Sequence, residues 1–515
     1  MMTTEDLDAA LAEPFGSFPE IIRGWGAVRG DAPALRDDKG EISWRELADR
    51  VERVAARMQQ TGLQRGQSVA IVGTSDTSYA TIFLAAVRAG GVAAPLTTSA
   101  TPQQLAAMAQ DSGASHLFID RAKLTELGDD FMPGLQRIIY DEELDGWMAP
   151  EGTEAAEFVP VRSDPFNIIY SSGTTGTPKG IVHSHGMRWF QFAATANAVY
   201  ATASQALTST PLYSNTTMVA FLPALLAGAC VNIMGKFNTV GWLETAQRYG
   251  VTHTMLVPVQ YKRLMEEPRF DEFDLRTLFL KYCTSAPFPA ALKAEVLRRM
   301  PGGLIEIYGM TEGGVTCLLY AHEFPDKLHT VGRPAPGHAL KVLGEDDVEL
   351  PPGASGNLVG ISPAMMAGYK NRPDASAEAL WTDPADGSVW MRMGDIGRVD
   401  EEGFVELVGR AKDVIISGGF NIYPVDLEGE LLKETGVEEA AVIGVPSEAW
   451  GETPLGFVRL SGDAPAPAEI LSAVNARLGK TQRLSALHAI DEMPRSHIGK
   501  LLKTELRDLA TKLPE

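Results

Sequence analysis

Short apolar runs alternate with stretches of helical periodicity from residue 69 to residue 309. Val69–Val72, Val92–Leu96 and Ala114–Ile119 are short, apolar and rich in β-branched residues, which is typical of buried parallel strands. A helical pattern over 78–88 separates the first two of them. The alternation predicts an α/β protein with mostly parallel sheets. It continues beyond residue 166 with predicted strands at Phe166–Tyr170, Ala206–Ser209, Cys230–Met234 and Leu304–Gly309.

The pattern changes twice in the second half of the chain. From about 338 to 408 the apolar positions recur with a period near two between Gly and Pro turns, which predicts a small β-rich lobe. After 411 a mixed pattern predicts helices at 424–435 and 467–478 and strands at 440–445 and 456–460. We therefore expect a large N-terminal domain over 1–411, made of two mostly parallel α/β sheets and the β-rich lobe. A small α+β C-terminal domain is expected over 412–515.

Composition and charge restrict the class of partner. A chain of 515 residues is too long for one core, and its net charge of −21 with no basic run argues against nucleic acid or an anionic membrane surface. The longest apolar stretch, Met218–Val231, is too short to span a bilayer, and the acidic N-terminus is no signal peptide. The three cysteines are far apart, which favours core positions and a reducing, cytoplasmic setting.

The segment from Phe166 to Gly180 is a predicted strand followed by a loop rich in glycine and hydroxyl residues that ends in Lys179. Glycines allow backbone N–H groups to face a ligand, hydroxyls add donors, and the lysine adds a positive charge, as a polyphosphate requires. The spacing is not that of a Walker A loop, because Pro178 stands where the second glycine should be.

Ser171-Ser-Gly-Thr-Thr-Gly-Thr-Pro-Lys-Gly180 resembles the phosphate loop of the adenylate-forming superfamily, which includes acyl-CoA synthetases, luciferases and peptide-synthetase adenylation domains. The resemblance implies that Lys179, Thr174 and Thr175 hold the β- and γ-phosphates of ATP. The other loop residues implied to contact ATP are Ser171, Ser172, Gly173 and Gly176.

Tyr308-Gly309-Met310-Thr311-Glu312 follows a predicted strand. An aromatic ring there can stack on adenine, a threonine can bind a phosphate, and a carboxylate can bind Mg²⁺. The segment resembles the superfamily's Y-G-x-T-E, which implies that Thr311 binds the α-phosphate and Glu312 the magnesium. Upstream, Thr284-Ser285-Ala286-Pro287 resembles the Gly-Gly-Ala-Pro segment beside the adenine, with Thr284 and Ser285 in place of two glycines.

Two further motifs flank the expected domain boundary. Gly394-Asp395 resembles the end of the family's Y-x-T-G-D, which implies that Asp395 accepts hydrogen bonds from the ribose, although Met391 and Met393 replace the usual aromatic and threonine. Gly409-Arg410-Ala-Lys412-Asp and the following Ser417-Gly-Gly-Phe-Asn-Ile-Tyr-Pro424 resemble the family hinge. Arg410 would contact the ribose or phosphates, and Lys412 would be the hinge. Gly418 and Gly419 would line the pantetheine tunnel.

Pro494-Arg-Ser-His-Ile-Gly-Lys500 resembles the family's terminal P-R-T-x-x-G-K. Lys500 would bridge the substrate carboxylate and the α-phosphate and stabilise the charge of the transition state. The five motifs occur in family order along the chain.

The expected acid is apolar or aromatic. No Asp, Glu, Lys, Arg or His occurs from Trp189 to Gly235, a region that includes the acyl pocket in the family, so no acid is present to pair with an amino-acid ammonium. Thr210–Asn215 resembles the family's P-L-x-H segment with Ser214 in place of histidine. The candidate pocket residues are Tyr213, Ser214, Asn215 and Met218.

These observations predict an ATP-dependent acyl-CoA ligase that uses Mg²⁺ and coenzyme A and forms its thioester through an acyl-adenylate. Its partners would be small molecules, and a homodimer is left open. The alternatives are an adenylation enzyme that loads a carrier protein, a luciferase-like monooxygenase and a non-catalytic nucleotide-binding homologue. His183 and His185 resemble a metal pair, but no third ligand is near them in sequence, and they are expected on a strand and loop surface.

Overall fold

The computed structural model describes residues 3–171, 178–417, 420–448, 450–480, 482–496 and 499–512. The chain divides into two compact units. The first comprises Met1–Leu328, Pro334–Ala339 and Ile361–Met391, and the second His329–Arg333, Leu340–Gly360 and Arg392–Glu515. The expected β-rich lobe is therefore shared between the units, and much of it groups with the C-terminal region. The domain boundary at Lys412 stays a prediction.

The helices of the first unit lie mostly between strands, as the alternating pattern predicts. They are α1 (Thr4–Ala12), α2 (Phe18–Arg29), α3 (Trp44–Gln60), α4 (Thr77–Arg88), α5 (Pro102–Ser112), α6 (Arg121–Leu127), α7 (Tyr140–Trp147), α8 (His185–Val199), α9 (Asn215–Leu226), α10 (Thr239–Tyr249), α11 (Pro258–Met265), α12 (Ala290–Arg299) and α13 (Pro373–Glu378).

Helix α3 shows how local sequence sets these bounds. Ser43 Oγ accepts a hydrogen bond from the Glu46 amide at 3.2 Å, and the Glu46 carboxylate accepts one from the Ser43 amide at 2.7 Å. These two bonds form a capping box, the arrangement that a serine followed three residues later by a glutamate makes at the start of a helix. The apolar stripe that begins at Trp44 and Leu47 is fully buried in the main core.

The first unit contains two large sheets. Their strands are β1 (Pro33–Arg36), β2 (Glu41–Ser43), β3 (Ser68–Val72), β4 (Val92–Pro95), β5 (Ala114–Ile119), β6 (Gln136–Ile139), β7 (Pro165–Ser171), β8 (Lys179–Ser184), β9 (Gln205–Thr208), β10 (Cys230–Ile233), β11 (His253–Leu256), β12 (Leu280–Cys283), β13 (Gly303–Tyr308), β14 (Cys317–Tyr320), β15 (Arg333–Pro334), which spans the division between the units, and β18 (Gly368–Tyr369). One sheet has the order β14-β13-β12-β11-β9-β10-β1-β2, and the other the order β18-β8-β7-β4-β3-β5-β6. The pairings from β13 to β10 are parallel, and so are those among β3, β4, β5 and β6. The predicted α/β class is confirmed.

The second unit is built from shorter elements. Its strands are β16 (Ala339–Leu343), β17 (Gly356–Ile361), β20 (Val389–Val399, from Arg392), β21 (Val405–Arg410), β22 (Ile415–Ser417), β23 (Phe420–Ile422), β24 (Val437–Ser447), β25 (Gly451–Leu460) and β26 (Ala486–Ala489). Strand β19 (Leu380–Thr382) pairs with the part of β20 that belongs to the first unit. The helices are α14 (Pro424–Leu431), α15 (Pro467–Arg477) and α16 (Lys503–Ala510).

The long hairpin of β24 and β25 differs most from the sequence expectation. Its antiparallel register runs from Val437 opposite Leu460 to Ser447 opposite Gly451. Both strands extend beyond the predicted segments 440–445 and 456–460, because pairing between the two arms continues past their apolar residues. Conversely, helix α14 ends at Leu431, four residues before the predicted end at 435.

Candidate functional site

An antiparallel hairpin carries the phosphate-loop motif in the first unit. Strand β7 ends at Ser171 and strand β8 begins at Lys179, and these two residues are directly opposite in the register. The hairpin therefore places the half-buried Lys179 beside the end of a buried strand. The predicted loop contacts Ser172, Gly173, Thr174, Thr175 and Gly176 lie outside the described residues.

A two-residue strand brings an unpredicted aromatic side chain to Lys179. Strand β18 pairs antiparallel with β8, with Tyr369 opposite Ile181, and the Lys370 amide donates to the Gly180 carbonyl at 2.7 Å. The Lys179 ammonium then lies 5.0 Å from the centre of the Tyr369 ring. This is a cation–π distance, so the lysine side chain has a partner that leaves its charge available to an anion.

The same tyrosine binds the predicted metal ligand. The Tyr369 hydroxyl donates to Glu312 Oε1 at 2.8 Å. Burial and the neighbouring Glu312 charge both raise the pKa of Tyr369, so the phenol stays a neutral donor. The Met366 amide also donates to the Glu312 carbonyl at 2.8 Å. One aromatic residue thus joins a cation and a carboxylate that are far apart in sequence.

The Tyr308–Glu312 motif leaves strand β13 at Tyr308 and enters a tight turn. The Gly313 amide donates to the Met310 carbonyl at 3.0 Å, and Gly313 has a φ of +90°. A Cβ at Gly313 would lie 1.8 Å from the Ala364 carbonyl oxygen. Only glycine fits this close approach, and it allows the 362–370 segment to support the turn that presents Thr311 and Glu312.

His183 and His185 are not on a surface, so that expectation is wrong. Both side chains have an exposed fraction of 0%. The His183 Nε2 lies 2.8 Å from the Thr311 carbonyl oxygen, and its Nδ1 lies 2.9 Å from the guanidinium of Arg188. His185 instead packs between Phe158 and Phe166. Contacts from segments distant in sequence bury both rings, and no local pattern marks these contacts.

The residues expected beside the adenine and the acyl group cluster around the start of helix α9. Ser285 has a φ of +84°, which explains the family glycine at this position, and its hydroxyl is hydrogen-bonded to the hydroxyl of Thr216. Ser214 is the N-cap of α9, where its Oγ accepts from the Thr216 amide at 3.3 Å. Met218 is fully buried in the main core.

The remaining members of this group differ in exposure. Tyr213, Asn215 and Ala286 are half-buried, and Pro287 is exposed. The buried Oδ1 of Asn215 has no hydrogen-bond partner among the described residues. Their roles toward an acid or adenine stay predictions.

In the second unit, Asp395 and Arg410 are opposite each other on β20 and β21. Arg410 Nε lies 2.9 Å from Asp395 Oδ1, and the Asp395 side chain is buried while that of Arg410 is 43% exposed. Met391 and Met393, which replace the family's aromatic and threonine, are buried. Arg392 between them pairs with Asp347 at 2.7 Å, and Gly394-Asp395 is the part of the motif that matches the family.

The expected hinge lies in a short 3₁₀ turn over Ala411–Asp413. Arg507 of helix α16 lies 3.0 Å from the Asp413 carboxylate and ties the turn to the C-terminal helix. Gly418 and Gly419 lie outside the described residues.

Lys500 is held in a tight loop of the same unit. Its amide donates to Ser496 Oγ at 3.1 Å, and its carbonyl accepts from the Ser496 amide at 2.8 Å. Burial is the main reason that the pKa of Lys500 falls to about 8, and the charges of Arg410 and Lys412 lower it further. Lys500, Arg410 and Lys412 therefore form a positive cluster, with Asp395 and Asp413 offsetting part of its charge.

The architecture and these residues are typical of an enzyme that activates a substrate with a nucleotide. The chain belongs to the AMP-binding enzyme family. Residues 22–370 match the model of the AMP-binding enzyme, and residues 426–500 match that of the AMP-binding enzyme C-terminal domain. Membership of the adenylate-forming superfamily is confirmed, and ATP is the nucleotide that the family implies. Within the described part of the chain, no helix is long and apolar enough to cross a membrane.

Curated relatives match almost the whole chain. A feruloyl-CoA synthase of Amycolatopsis sp is 33% identical, over 92% of this chain and 95% of that relative. An indoleacetate–CoA ligase of Aromatoleum aromaticum is 31% identical, over 93% and 95%. The fatty acid–[acyl-carrier-protein] ligase ScoC of Streptomyces coeruleorubidus is 30% identical, over 92% and 93%. The expected enzyme class, an AMP-forming acid–CoA ligase, is confirmed.

Solved structures agree with this fold. The ATP-bound RpMatB-BxBclM chimera B1 has a TM-score of 0.86 at 28% identity and covers 97% of this chain and 100% of its own. The o-succinylbenzoate CoA synthetase MenE of Bacillus subtilis, in complex with the acyl-adenylate intermediate OSB-AMP, has a TM-score of 0.82 at 25% identity and covers 95% and 98%.

Proposed function

We propose that this protein converts an aromatic or apolar monocarboxylic acid to its CoA thioester through an acyl-adenylate. The observation that carries the proposal is the Lys179–Tyr369–Glu312 arrangement, in which one ring holds a cation and a carboxylate together. A magnesium-bound polyphosphate requires such a pair, because the ammonium can bind phosphate oxygens and the carboxylate can bind the metal. Two relatives named for aromatic acids support the aromatic substrate.

Glu312 fits Mg²⁺ by its chemistry. Tyr369 binds Oε1 of the carboxylate, and no contact among the described residues occupies Oε2. A single protein carboxylate is a common arrangement for Mg²⁺, which takes its remaining ligands from phosphates and water. Bound Mg²⁺ would neutralise phosphate charge, while Tyr369 keeps the carboxylate oriented.

The reaction takes two steps. A carboxylate oxygen of the acid attacks the α-phosphorus of ATP, a P–O bond forms and the bond to pyrophosphate breaks. The CoA thiol then loses its proton to solvent, the resulting thiolate sulfur attacks the acyl carbon, and the bond to AMP breaks. Positioning and charge neutralisation suffice for the first step, and these are supplied by Lys179, Thr311 and Lys500.

The uncharged region from Trp189 to Gly235 supports an apolar acyl group. In the structure it forms most of α8, β9, α9 and β10, and the side chains of α9 from Thr216 onward are nearly all buried. An ammonium placed against these elements would have no nearby carboxylate from that region.

A screen for pyrophosphate release tests the proposal. Ferulate, cinnamate, benzoate, indoleacetate and fatty acids of several lengths are each assayed with and without CoA. We expect CoA-dependent turnover, with AMP and thioester formed, for at least one aromatic or apolar acid. A burst of pyrophosphate that CoA does not accelerate would contradict the assigned acceptor.

A carrier-protein acceptor is the second candidate, favoured by the similarity to ScoC. The same screen with a phosphopantetheinylated acyl carrier protein in place of CoA separates the two. Faster acyl transfer to the carrier protein than to CoA at equal concentration would favour this second function.

A further inference from the structure

A fully buried arginine is connected through His183 to the main chain of Thr311. Arg188 of helix α8 has an exposed fraction of 0%. Its three guanidinium nitrogens lie 2.9 Å from Asn167 Oδ1, 3.0 Å from Gln191 Oε1 and 2.9 Å from His183 Nδ1. No carboxylate pairs with it among the described residues. Burial lowers the pKa of Arg188 to about 9, so the guanidinium is still charged at neutral pH.

The contact with Arg188 determines the protonation state and the tautomer of the His183 ring. Burial, followed by the Arg188 charge, holds the pKa of His183 well below its usual value, so the imidazole is neutral. A guanidinium can only donate, so His183 Nδ1 must be the acceptor and the ring proton must sit on Nε2. Nε2–H then donates to the Thr311 carbonyl oxygen at 2.8 Å.

We propose that His183, held in one tautomer by Arg188, is a positioning residue for adenylation that sets the main chain of Thr311 and Glu312. The inference rests on the proposed function, since these two residues are the ones assigned to the α-phosphate and the metal. His183 touches neither ligand and acts through the Thr311 peptide.

The turn that carries Thr311 and Glu312 is held from two sides. Met366 donates to the Glu312 carbonyl, and His183 donates to the carbonyl one residue earlier. Two successive peptide planes are therefore fixed, which limits where the Thr311 hydroxyl and the Glu312 carboxylate can point. Such orientation matters most for a transition state, in which small misplacements lower the rate strongly.

A purely structural role explains this arrangement poorly. Well-packed apolar side chains are often as stabilising as a buried charge with its partners, so the fold alone does not require a buried guanidinium here. His185, two residues along the same segment, is equally buried, but neither of its ring nitrogens has a hydrogen-bond partner among the described residues. Burial of a histidine on this segment therefore does not by itself require polar partners such as those of His183.

Two conservative variants test separately the contact of His183 Nε2 with Thr311 and the contact of Nδ1 with Arg188. His183→Gln can place an amide N–H near the position of Nε2 and keep the bond to Thr311. His183→Asn is too short to reach Thr311 but can still accept from Arg188. His185→Phe is the matched control, since it replaces a buried histidine that does not contact Thr311. Thermal unfolding of all three variants reports any general loss of structure.

We expect His183→Asn to lower the rate of ferulate-dependent ATP–pyrophosphate exchange by about tenfold or more and to raise the Mg²⁺ concentration required for half-maximal rate. Thioester formation from preformed feruloyl-adenylate should change less than about twofold, because it needs neither metal nor pyrophosphate. His183→Gln should retain most of the exchange rate, and His185→Phe all of it. The inference would be overturned if His183→Asn lowered the rates of both half-reactions equally. It would also be overturned if His183→Asn and His185→Phe lowered the exchange rate equally.

Two further measurements keep the inference separate from the proposed function. Equilibrium affinity for MgATP needs no acid, so a selective loss in His183→Asn supports the inference even if no acid is activated, and unchanged affinity in that case overturns it. The ¹⁵N chemical shifts of the His183 ring should show a neutral imidazole protonated at Nε2. A proton on Nδ1 would contradict the role given to Arg188.

Discussion

Lys179 and Lys500 are both predicted phosphate-binding lysines, and the structure gives them opposite surroundings. Lys179, in the first unit, lies over the Tyr369 ring, which is itself bonded to Glu312. Lys500, in the second unit, is half-buried and lies near the positive charges of Arg410 and Lys412. Lys179 therefore has an aromatic partner even without a ligand. In contrast, burial and like charges disfavour the charged form of Lys500 until an anion binds.

This difference indicates different tasks. A lysine that is already oriented by neighbours is suited to binding the phosphates of the ground state. A lysine surrounded by like charge binds most strongly where negative charge concentrates, as in a pentacoordinate phosphorus transition state. We therefore expect substitutions of Lys179 to act mainly on the KM for ATP, and substitutions of Lys500 mainly on kcat of the first step.

The largest effect is expected for Lys500→Ala. The rate of acyl-adenylate formation should fall about 10²- to 10³-fold with little change in the KM for ATP, because a transition-state contact is removed. Thioester formation from preformed acyl-adenylate should be spared. Rapid-quench measurement of each half-reaction checks this, with the exposed Lys433→Ala of the same unit as control. Equal loss in both half-reactions would refute the role of Lys500.

A smaller effect is expected for Lys179→Ala. The KM for ATP should rise about thirtyfold, since a charge-assisted hydrogen bond contributes ~2 kcal/mol, and kcat should fall less. Lys179→Arg keeps both the charge and the stacking on Tyr369 and should recover most of the affinity. If Lys179→Ala instead lowered kcat with an unchanged KM, the contrast between the two lysines would be wrong.

Local sequence signals predicted much of the fold because their causes are local. The capping box of Ser43 and Glu46 fixes the start of α3, and the buried strand β3 is recognisable from its four consecutive apolar residues. The family motifs likewise identified Lys179, Glu312, Asp395 and Lys500 as candidates. In the first unit Lys179 and Glu312 share Tyr369, and in the second unit Asp395 is paired with Arg410 across a hairpin. These contacts agree with that assignment but do not test the roles of the residues.

Contacts made by distant pairing were not predictable in this way. Tyr369 is brought to Lys179 by the register between β18 and β8, and no spacing within 361–370 marks it. The sequence predicts a surface position for His183, but Arg188 and the Thr311 carbonyl satisfy both ring nitrogens in the interior. Burial of a polar residue depends on partners that adjacent sequence does not contain.

The pH profile of adenylation gives a further test of the role of Lys500. Lys500 must be protonated to stabilise negative charge, and its pKa in the free enzyme is about 8. The kcat/KM for acyl-adenylate formation should therefore be level below pH 8 and fall as pH rises through it, to about a tenth of the plateau at pH 9. Lys500→Arg should move this decline to higher pH, because guanidinium stays protonated. A wild-type profile that is level to pH 10 would contradict this assignment.

The smallest effect is expected for Tyr369→Phe, which keeps the ring beneath Lys179 and removes the hydroxyl bonded to Glu312. Loss of one hydrogen bond should weaken the free energy of Mg²⁺ binding by about 1 kcal/mol, so the Mg²⁺ concentration for half-maximal adenylation should rise about fivefold. Tyr140→Phe removes a comparable hydrogen bond, to the Thr74 carbonyl, elsewhere in the first unit and should leave the Mg²⁺ requirement unchanged. If wild type and Tyr369→Phe required the same Mg²⁺ concentration, Tyr369 would support only Lys179. The proposal that Tyr369 connects Lys179 with Glu312 functionally would then be wrong.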